Sequence, residues 1–388
     1  MSQPARVLIS RLTLTNFRNY ASASLVTDAR LVALTGDNGA GKTNLMEAVS
    51  LLTPGRGLRR AAFADIVRKS PPHLQGPDQE TPAPDGWSVS ALLDGDNGET
   101  RIGTGFSLDT ASRRVRIDGA EARSADSLSE YLRVLWLVPS MDGLFTGSAG
   151  DRRRFLDRLV LAVDPGHGRR VADFDKAMRS RNRLLETGGE AAWLDAVEAQ
   201  IASLGVAMAY ARREAVTLLS SLITEHAGDD AFPEAALSLE GPFEALSASI
   251  PAADLEDAYG ELLARGRPRD RAAGRTLEGP HRTDLAVTHV AKAMPAGLAS
   301  TGEQKALLIG LVLAHAELTA RVSGLTPILL LDEVAAHLDP SRRAALFSRL
   351  DMLGGQVFMT GTDRALFEAL PENAARFAVS DGSVSSLD

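Results

Sequence analysis

The 388-residue sequence predicts an α/β fold in which both ends of the chain build one sheet-and-helix unit and a helical lobe is inserted between them. Three observations carry this. Short continuous apolar runs recur at Leu31 to Leu34, Val134 to Val138, Ile328 to Leu331 and Val357 to Met359, the mark of strands buried on both faces. Between Trp87 and Asp118, short β-prone runs alternate around Asp94-Gly95-Asp96-Asn97-Gly98, the pattern of a small antiparallel meander. Val197, Ile201, Leu204, Met208, Ala211, Ala215, Leu218 and Leu222 recur at spacings of four and three, the seam of a long helix packed on partner helices.

In chain order, Val7, Ile9, Leu12, Leu14 and Phe17 follow a period near two and predict a strand. The buried strand at 31–34 runs into a glycine-rich segment, after which Leu45, Met46, Val49 and Leu52 take helical spacing. Ser70 to Gly86 holds five prolines in 17 residues, too many for an element interior, and is expected to be an exposed loop. A helix is expected near Arg152 to Val163, and a shorter one bearing Leu255, Tyr259, Leu262 and Leu263 should pack beside the long seam. No internal repeat is visible. The expected division is 1–165 and 277–388 for the two parts of the head and 166–276 for the lobe.

Composition narrows the class. Lys+Arg 42 against Asp+Glu 50 gives a net charge of −8, which argues against coating a polyanion through bulk charge, so any such site must be a local patch. Absence of cysteine excludes disulfides, thiolate zinc sites and cysteine nucleophiles. The amino terminus has no basic region followed by an apolar core, so a cytoplasmic chain without a membrane partner is expected.

Gly36-Asp37-Asn38-Gly39-Ala40-Gly41-Lys42-Thr43 satisfies the phosphate-loop pattern G-x-x-x-x-G-K-[ST], between a buried strand and a helix. Its glycines let backbone N–H groups close around phosphate oxygens, Lys42 reaches the outer phosphates and the Thr43 hydroxyl can ligate Mg2+. Far downstream, Ile328 to Leu331 ends in Asp332-Glu333. Asp332 can hold Mg2+, and Glu333 can polarise the water that attacks the γ-phosphate of ATP; the pair can also simply cap the next helix. Leu298-Ala299-Ser300-Thr301-Gly302-Glu303-Gln304-Lys305 is a second small-residue segment opening a helix, and one nucleotide needs only one phosphate loop. Ser300 can equally be a helix cap that forms a box with Glu303.

Ser300, Gly302 and Gln304, set ahead of the carboxylate strand, resemble the signature segment of ABC-type ATPases, and Ala335 to Pro340 resembles their D-loop. That resemblance implies an ABC-type P-loop ATPase head with an antiparallel β subdomain and an inserted α-helical lobe. It also implies that the signature of one subunit closes on ATP held by another, with Gly36 to Asn44, Ser300, Gly302, Gln304 and Thr360 contacting nucleotide. Transporter subunits carry histidine at the switch position; here Thr360 or Thr362 stands there, which weakens a transporter assignment. More narrowly, Leu14 to Tyr20, Gly36 to Asn44, Gly147 to Asp157, Glu278 to Leu285 and Ser300 to Leu307 together resemble the bacterial RecF family of DNA repair proteins. What this implies is an ATP-dependent DNA-binding homodimer with slow hydrolysis, acting with RecO and RecR at single-strand gaps or junctions to load RecA. Another SMC-like ABC ATPase or a transporter-type subunit is the alternative. Two departures stand out: Pro139-Ser140-Met141-Asp142 where the family shows Pro-Glu-Asp, and Arg56-Gly57-Leu58-Arg59 where it shows an Arg-Ser-Phe-Arg-like block.

Arginine outnumbers lysine 37 to 5 and gathers in clusters. Arg56, Arg59, Arg113, Arg114, Arg152 and Arg153 are the candidate DNA contacts, because the planar guanidinium suits bidentate phosphate binding. Arg152 to Arg154 open a helix, where cations oppose the dipole, and such a placement suggests another use. With no base-reading motif, binding to duplex and gapped DNA should be salt-sensitive and weakly sequence-specific.

Overall fold

The computed structural model describes residues 4–69, 84–96, 98–226, 228 and 231–387. Most of the proline-rich loop expected at Ser70 to Gly86 lies outside them. The described chain parts into two compact units, one made of residues 1–142, 230–232 and 312–388, the other of 143–229 and 233–311. This is a different partition from the one suggested by sequence: by compactness, α2 (Ala149–Val163) and residues 277–311 group with the helices.

The first unit holds two six-stranded sheets. Antiparallel β1 (Val7–Phe17), β2 (Tyr20–Val26), β4 (Gly86–Gly95), β5 (Gly98–Ser107), β6 (Ser112–Ile117) and β7 (Ala120–Glu121) run in the order β2-β1-β4-β5-β6-β7. They alternate as the period of two demands: Ile9, Leu12, Leu14, Val89, Ala91 and Ile102 are buried, and their neighbours face outward. On the inner face the edge of the Phe17 ring meets Trp87 at 5.6 Å between centroids, and the Trp87 indole donates to the Phe63 carbonyl at 2.8 Å.

The second sheet takes β3 (Leu31–Thr35), β8 (Val134–Leu137), β12 (Ile328–Leu331), β13 (Val357–Gly361), β14 (Ala375–Ser380) and β15 (Ser383–Ser386) in the order β15-β14-β3-β13-β12-β8. All but β15 are parallel; three of the four apolar runs read from the sequence are the central strands β3, β13 and β12, and the fourth, β8, closes one edge. Every residue of β3, β12 and β13 is buried, so the sheet must be covered on both faces. Parallel pairing has a consequence for function: it sets the carboxyl ends of β3, β12 and β13 side by side, where open α/β sheets bind ligands.

The second unit contains α2, α3 (His167–Thr187), α4 (Ala191–Glu225), α5 (Pro242–Ser249), α6 (Leu255–Ala273) and the three-stranded sheet of β9 (Ala235–Glu240), β10 (Asp284–His289) and β11 (Met294–Pro295). The seam of α4 packs in part as expected: Ile201 and Met208 share a core with Phe174, Phe243, Leu255, Tyr259 and Leu263, Val197 and Leu204 lie against it, and Ala215 and Leu222 are buried. Leu218, however, is exposed, and Ala202 and Ala209, outside the seam, join the core. Several features escaped the sequence reading, among them α3, α5, strand β9 and the length of α6, which continues through Pro268 to Ala273. Arg181 explains the extension. Fully buried, it donates to Glu198 at 2.8 Å, Asp270 at 2.8 Å, Thr276 at 2.6 Å and the Leu263 carbonyl at 2.8 Å, tying the far end of α6 to α3 and α4.

Helix α7 (Thr301–Ser323) is, among the described residues, the one helix long and apolar enough to cross a membrane, and 72% of that stretch is buried within the fold. A buried core helix passes the same test of length and composition.

Candidate nucleotide-binding site

Strand β3 delivers the chain into the loop Gly36 to Gly41, and α1 (Lys42–Ser50) leaves it. Two glycines make the path possible. Gly36 has φ 152°, and a Cβ there would collide with the Val379 carbonyl oxygen of β14. Gly41 has φ 120°, and its Cβ would lie 2.5 Å from the Tyr20 hydroxyl and 2.7 Å from the Asn19 amide. Those two side chains brace the loop from outside: Tyr20 donates to the Gly41 carbonyl at 3.0 Å and Asn19 to the Ala40 carbonyl at 3.0 Å. Burial raises the Tyr20 pKa, so its phenol stays a neutral donor.

The Lys42 ammonium curls back onto the loop, donating to the Gly36 carbonyl at 2.5 Å and the Asp37 carbonyl at 2.9 Å. Beside it, the Thr43 hydroxyl lies 3.0 Å from both oxygens of Asp332, which is only 5% exposed at the end of β12. Thr360, fully buried on β13, donates its hydroxyl to Asp332 Oδ1 at 2.7 Å and accepts the Glu333 backbone N–H at 2.9 Å. One hydroxyl thus fixes both carboxylate residues. Glu333 has φ 54°, a left-handed conformation that costs a non-glycine residue about 1 kcal/mol, and the Thr360 hydrogen bond holds it there. The structure therefore brings Lys42, Thr43, Asp332, Glu333 and Thr360 together at the carboxyl edge of the parallel sheet.

A hydroxyl and a carboxylate oxygen are the hard donors that Mg2+ selects, and Mg2+ completes its octahedron with water and phosphate oxygens rather than protein. Thr43 and Asp332 fit that ion.

Behind the loop, Glu47 on α1 is fully buried between two arginines. Arg18 pairs with it bidentately at 2.8 and 2.6 Å, and Arg59 reaches it at 3.1 Å while donating to Asn44 at 2.6 Å. Asn44 also donates to Asn19 at 2.7 Å, which links the start of the helix to the bracing residues. Arg18, Asn19, Tyr20 and Glu47 were not read as site residues. The signal available for the first three was their place in the Leu14 to Tyr20 block.

In the second unit, Ser300 caps α7: its N–H and hydroxyl meet Glu303 Oε2 at 3.1 and 2.8 Å, and its Oγ accepts the Glu303 N–H at 3.4 Å. The Lys292 ammonium and then the Ser300 bonds hold the Glu303 carboxyl down to about 2. Gln304 folds under the same turn, donating to the Ala299 carbonyl at 2.8 Å, and Gly302 stands open and exposed.

The candidate DNA contacts divide by employment. Arg113 donates to the carbonyls of Leu51 at 2.5 Å, Thr53 at 3.0 Å and Gly55 at 2.7 Å and to Thr104 at 2.8 Å. It thus closes the carboxyl end of α1, and burial lowers its pKa to about 10. Arg152 forms a fork on Asp284 at 2.8 and 2.7 Å, and Arg153 donates to the Thr283 carbonyl at 3.0 Å. This joins α2 to β10, so both side chains, read from the sequence as candidate DNA contacts, are engaged within the unit. Arg56 and Arg114 are exposed.

Residues 8–385 match the model of the RecF/RecN/SMC N terminal domain. The DNA replication and repair protein RecF of Rhizobium etli is 58% identical over 384 residues, spanning 98% of this chain and 99% of that protein. The RecF of Agrobacterium fabrum is likewise 58% identical over 98% of this chain and 99% of its own length. The chain belongs to the RecF family. Its fold agrees with the solved structure of the recombination mediator protein RecF-ATPrS in the RecFOR pathway, with TM-score 0.85 at 20% identity over the whole of both chains. A Smc head domain from Pyrococcus furiosus follows at TM-score 0.55 and 15% identity, covering 98% of this chain and 96% of that one. The RecF-family chain has the expected architecture, an ABC-type ATPase head with an antiparallel β subdomain and a helical lobe.

Proposed function

We infer that this chain is an ATP-binding and ATP-hydrolysing DNA-binding protein of replication and recombinational repair. ATP closes two copies on DNA at gaps or junctions, and slow hydrolysis reopens them. The observation that carries this reading is the junction of Thr43, Asp332, Thr360 and Glu333 beside a glycine-built phosphate loop. Relatives 58% identical over nearly the full length bear the name DNA replication and repair protein, which supplies the DNA half of the reading. RecO and RecR are the partners this membership points to, with delivery of RecA as the outcome, in the cytoplasm.

Each residue has a role in this scheme. Lys42 gives up two loop carbonyls to bind the β- and γ-phosphates. Gly36 to Asn44 wrap the phosphates with backbone N–H groups. Thr43 and Asp332 hold Mg2+, which when bound neutralises charge on the phosphate oxygens. Glu333 accepts the proton of the attacking water, and Thr360 keeps its backbone in place. Ser300, Gly302 and Gln304 complete the site of the second copy, for which a capped helix start with an open glycine is a suitable anion-facing surface.

Lys42→Ala tests the scheme. ATP affinity measured by fluorescent-nucleotide titration should fall at least 100-fold, and ATP should no longer strengthen binding to gapped duplex. A variant with wild-type ATP affinity would remove the phosphate loop from the account.

A further inference from the structure

The outer face of the antiparallel sheet carries an arginine-lined groove of about 520 Å³. Strict alternation builds it. On β6, Val115 is buried while Arg114 and Arg116 point outward; on β5, Ile102 and Thr104 are buried while Arg101, Gly103 and Gly105 face out. Register sets two of the arginines against residues without a side chain, Arg114 against Gly105 and Arg116 against Gly103, while Arg116 faces Glu121 on its other side and Arg101 faces Leu92. The next strand offers only Ser88 and Ser90 opposite those glycines. The guanidinium groups therefore stand over a trough of bare backbone with small hydroxyls beyond.

These arginines differ from the rest of their clusters in being unemployed. The side chains of Arg101, Arg114 and Arg116 have no hydrogen bond or ion pair among the described residues, whereas Arg113, one position away on the opposite face, is saturated by four. Glu99, Asp118 and Glu121 lie near the same strands, and Asp118 accepts the Arg101 backbone N–H at 2.8 Å, yet among the described residues none forms an ion pair with the guanidinium groups of the three. Arg114 and Arg116, two residues apart on a strand, are separated by roughly 7 Å. That equals the axial rise of about two nucleotides of one strand of B-DNA. Among the described residues lining the groove the one aromatic is Phe106, and its ring lies 6.0 Å from that of Phe63, which also meets the buried Trp87. A single strand bound without base stacking would lose its main source of affinity, so the surface suits the backbone of a duplex.

We propose that the outer face of β4, β5 and β6 is a duplex-DNA backbone site, with Arg101, Arg114 and Arg116 as its phosphate ligands. This rests on the DNA-binding reading above and assigns its contact surface.

The test uses the full chain with saturating ATP and a blunt duplex of ~30 base pairs, titrated by fluorescence anisotropy at several salt concentrations. The triple variant R101Q/R114Q/R116Q should bind about tenfold more weakly, and the slope of log affinity against log salt should flatten by roughly 2 to 3, at about 0.9 per phosphate contact. The matching lysine triple variant should bind as the wild type does, and unchanged ATP affinity shows that each variant is folded. A control triple in the helical unit, R169Q/R183Q/R265Q, should leave the slope unchanged. Wild-type slope and affinity in R101Q/R114Q/R116Q, equal losses in the control, or a loss confined to single-stranded DNA would overturn the assignment. Failure of the wild-type chain to bind duplex at all would overturn the functional reading itself.

Discussion

Asp332 and Arg181 are both charged side chains removed from water, one 5% exposed at the sheet edge and the other fully buried in the helical unit. Arg181, on α3, spends its guanidinium on two carboxylates, a hydroxyl and a carbonyl, all drawn from α4, α6 and the segment after it. Among the described residues, Asp332 receives two hydroxyls, from Thr43 and Thr360, and pairs with no cation. An anion buried without a cation is costly, and a cation bound there would offset that cost. Saturation marks the structural charge, and an unmet charge marks the functional one. The same contrast separates Arg113 from Arg114.

Removing the saturated cation should produce the largest effect. Arg181→Met leaves the buried Asp270 without its cation, while Glu198 keeps Arg267, so denaturant unfolding should show a loss of about 3 kcal/mol. ATP affinity of the folded fraction should be retained. If stability stays within 1 kcal/mol, the clamp is not what holds α6, and the comparison breaks at its structural end.

At the functional end the effect should be smaller and kinetic. Thr360→Val removes the acceptor of the Glu333 N–H and one donor to Asp332, a change worth roughly 1–3 kcal/mol. Steady-state ATP hydrolysis should show kcat down about 10- to 100-fold with KM little altered. Thr360→Ser should restore it, since the hydroxyl alone is required. An equal loss in the serine variant would mean that the residue acts through packing.

The smallest effect concerns His281, whose Nε2 lies 3.1 Å from the Thr276 carbonyl. Burial, together with nearby Arg282 and Arg153, lowers its pKa from 6.5 to about 4. The unfolded chain therefore binds more protons between those values. Stability from this group is complete above pH 6.5 and declines as the pH falls toward 4. Between pH 7 and 5.5 the decline should be about 1 kcal/mol. Comparing unfolding of the wild type with His281→Gln at the two pH values isolates it, and identical pH dependence in both proteins would refute it.

Much of this was legible in the sequence because burial on both faces leaves a signal. Ile328 to Leu331 and Val357 to Met359 are uninterrupted apolar runs, and only a parallel central strand needs them. The phosphate loop was equally plain, since its glycines are dictated by backbone collisions at Gly36 and Gly41. Arginine roles were not legible. Neighbours in a strand point to opposite faces, so Arg113 and Arg114 share a cluster in sequence and nothing in space. Arg152 finds Asp284 132 residues away, a pairing no local spacing reveals. The reach of α6 was hidden for the same reason, because Pro268 suggests an end that Asp270, bound to Arg181, overrides.

The central claim, that bound ATP joins two copies of this chain, is tested most directly by sedimentation of Glu333→Gln with Mg2+ and saturating ATP. The account predicts twice the monomer mass with ATP, the monomer mass without it, and loss of the heavier species when Ser300→Arg is added. A Glu333→Gln chain that binds ATP and still sediments as a monomer would contradict it.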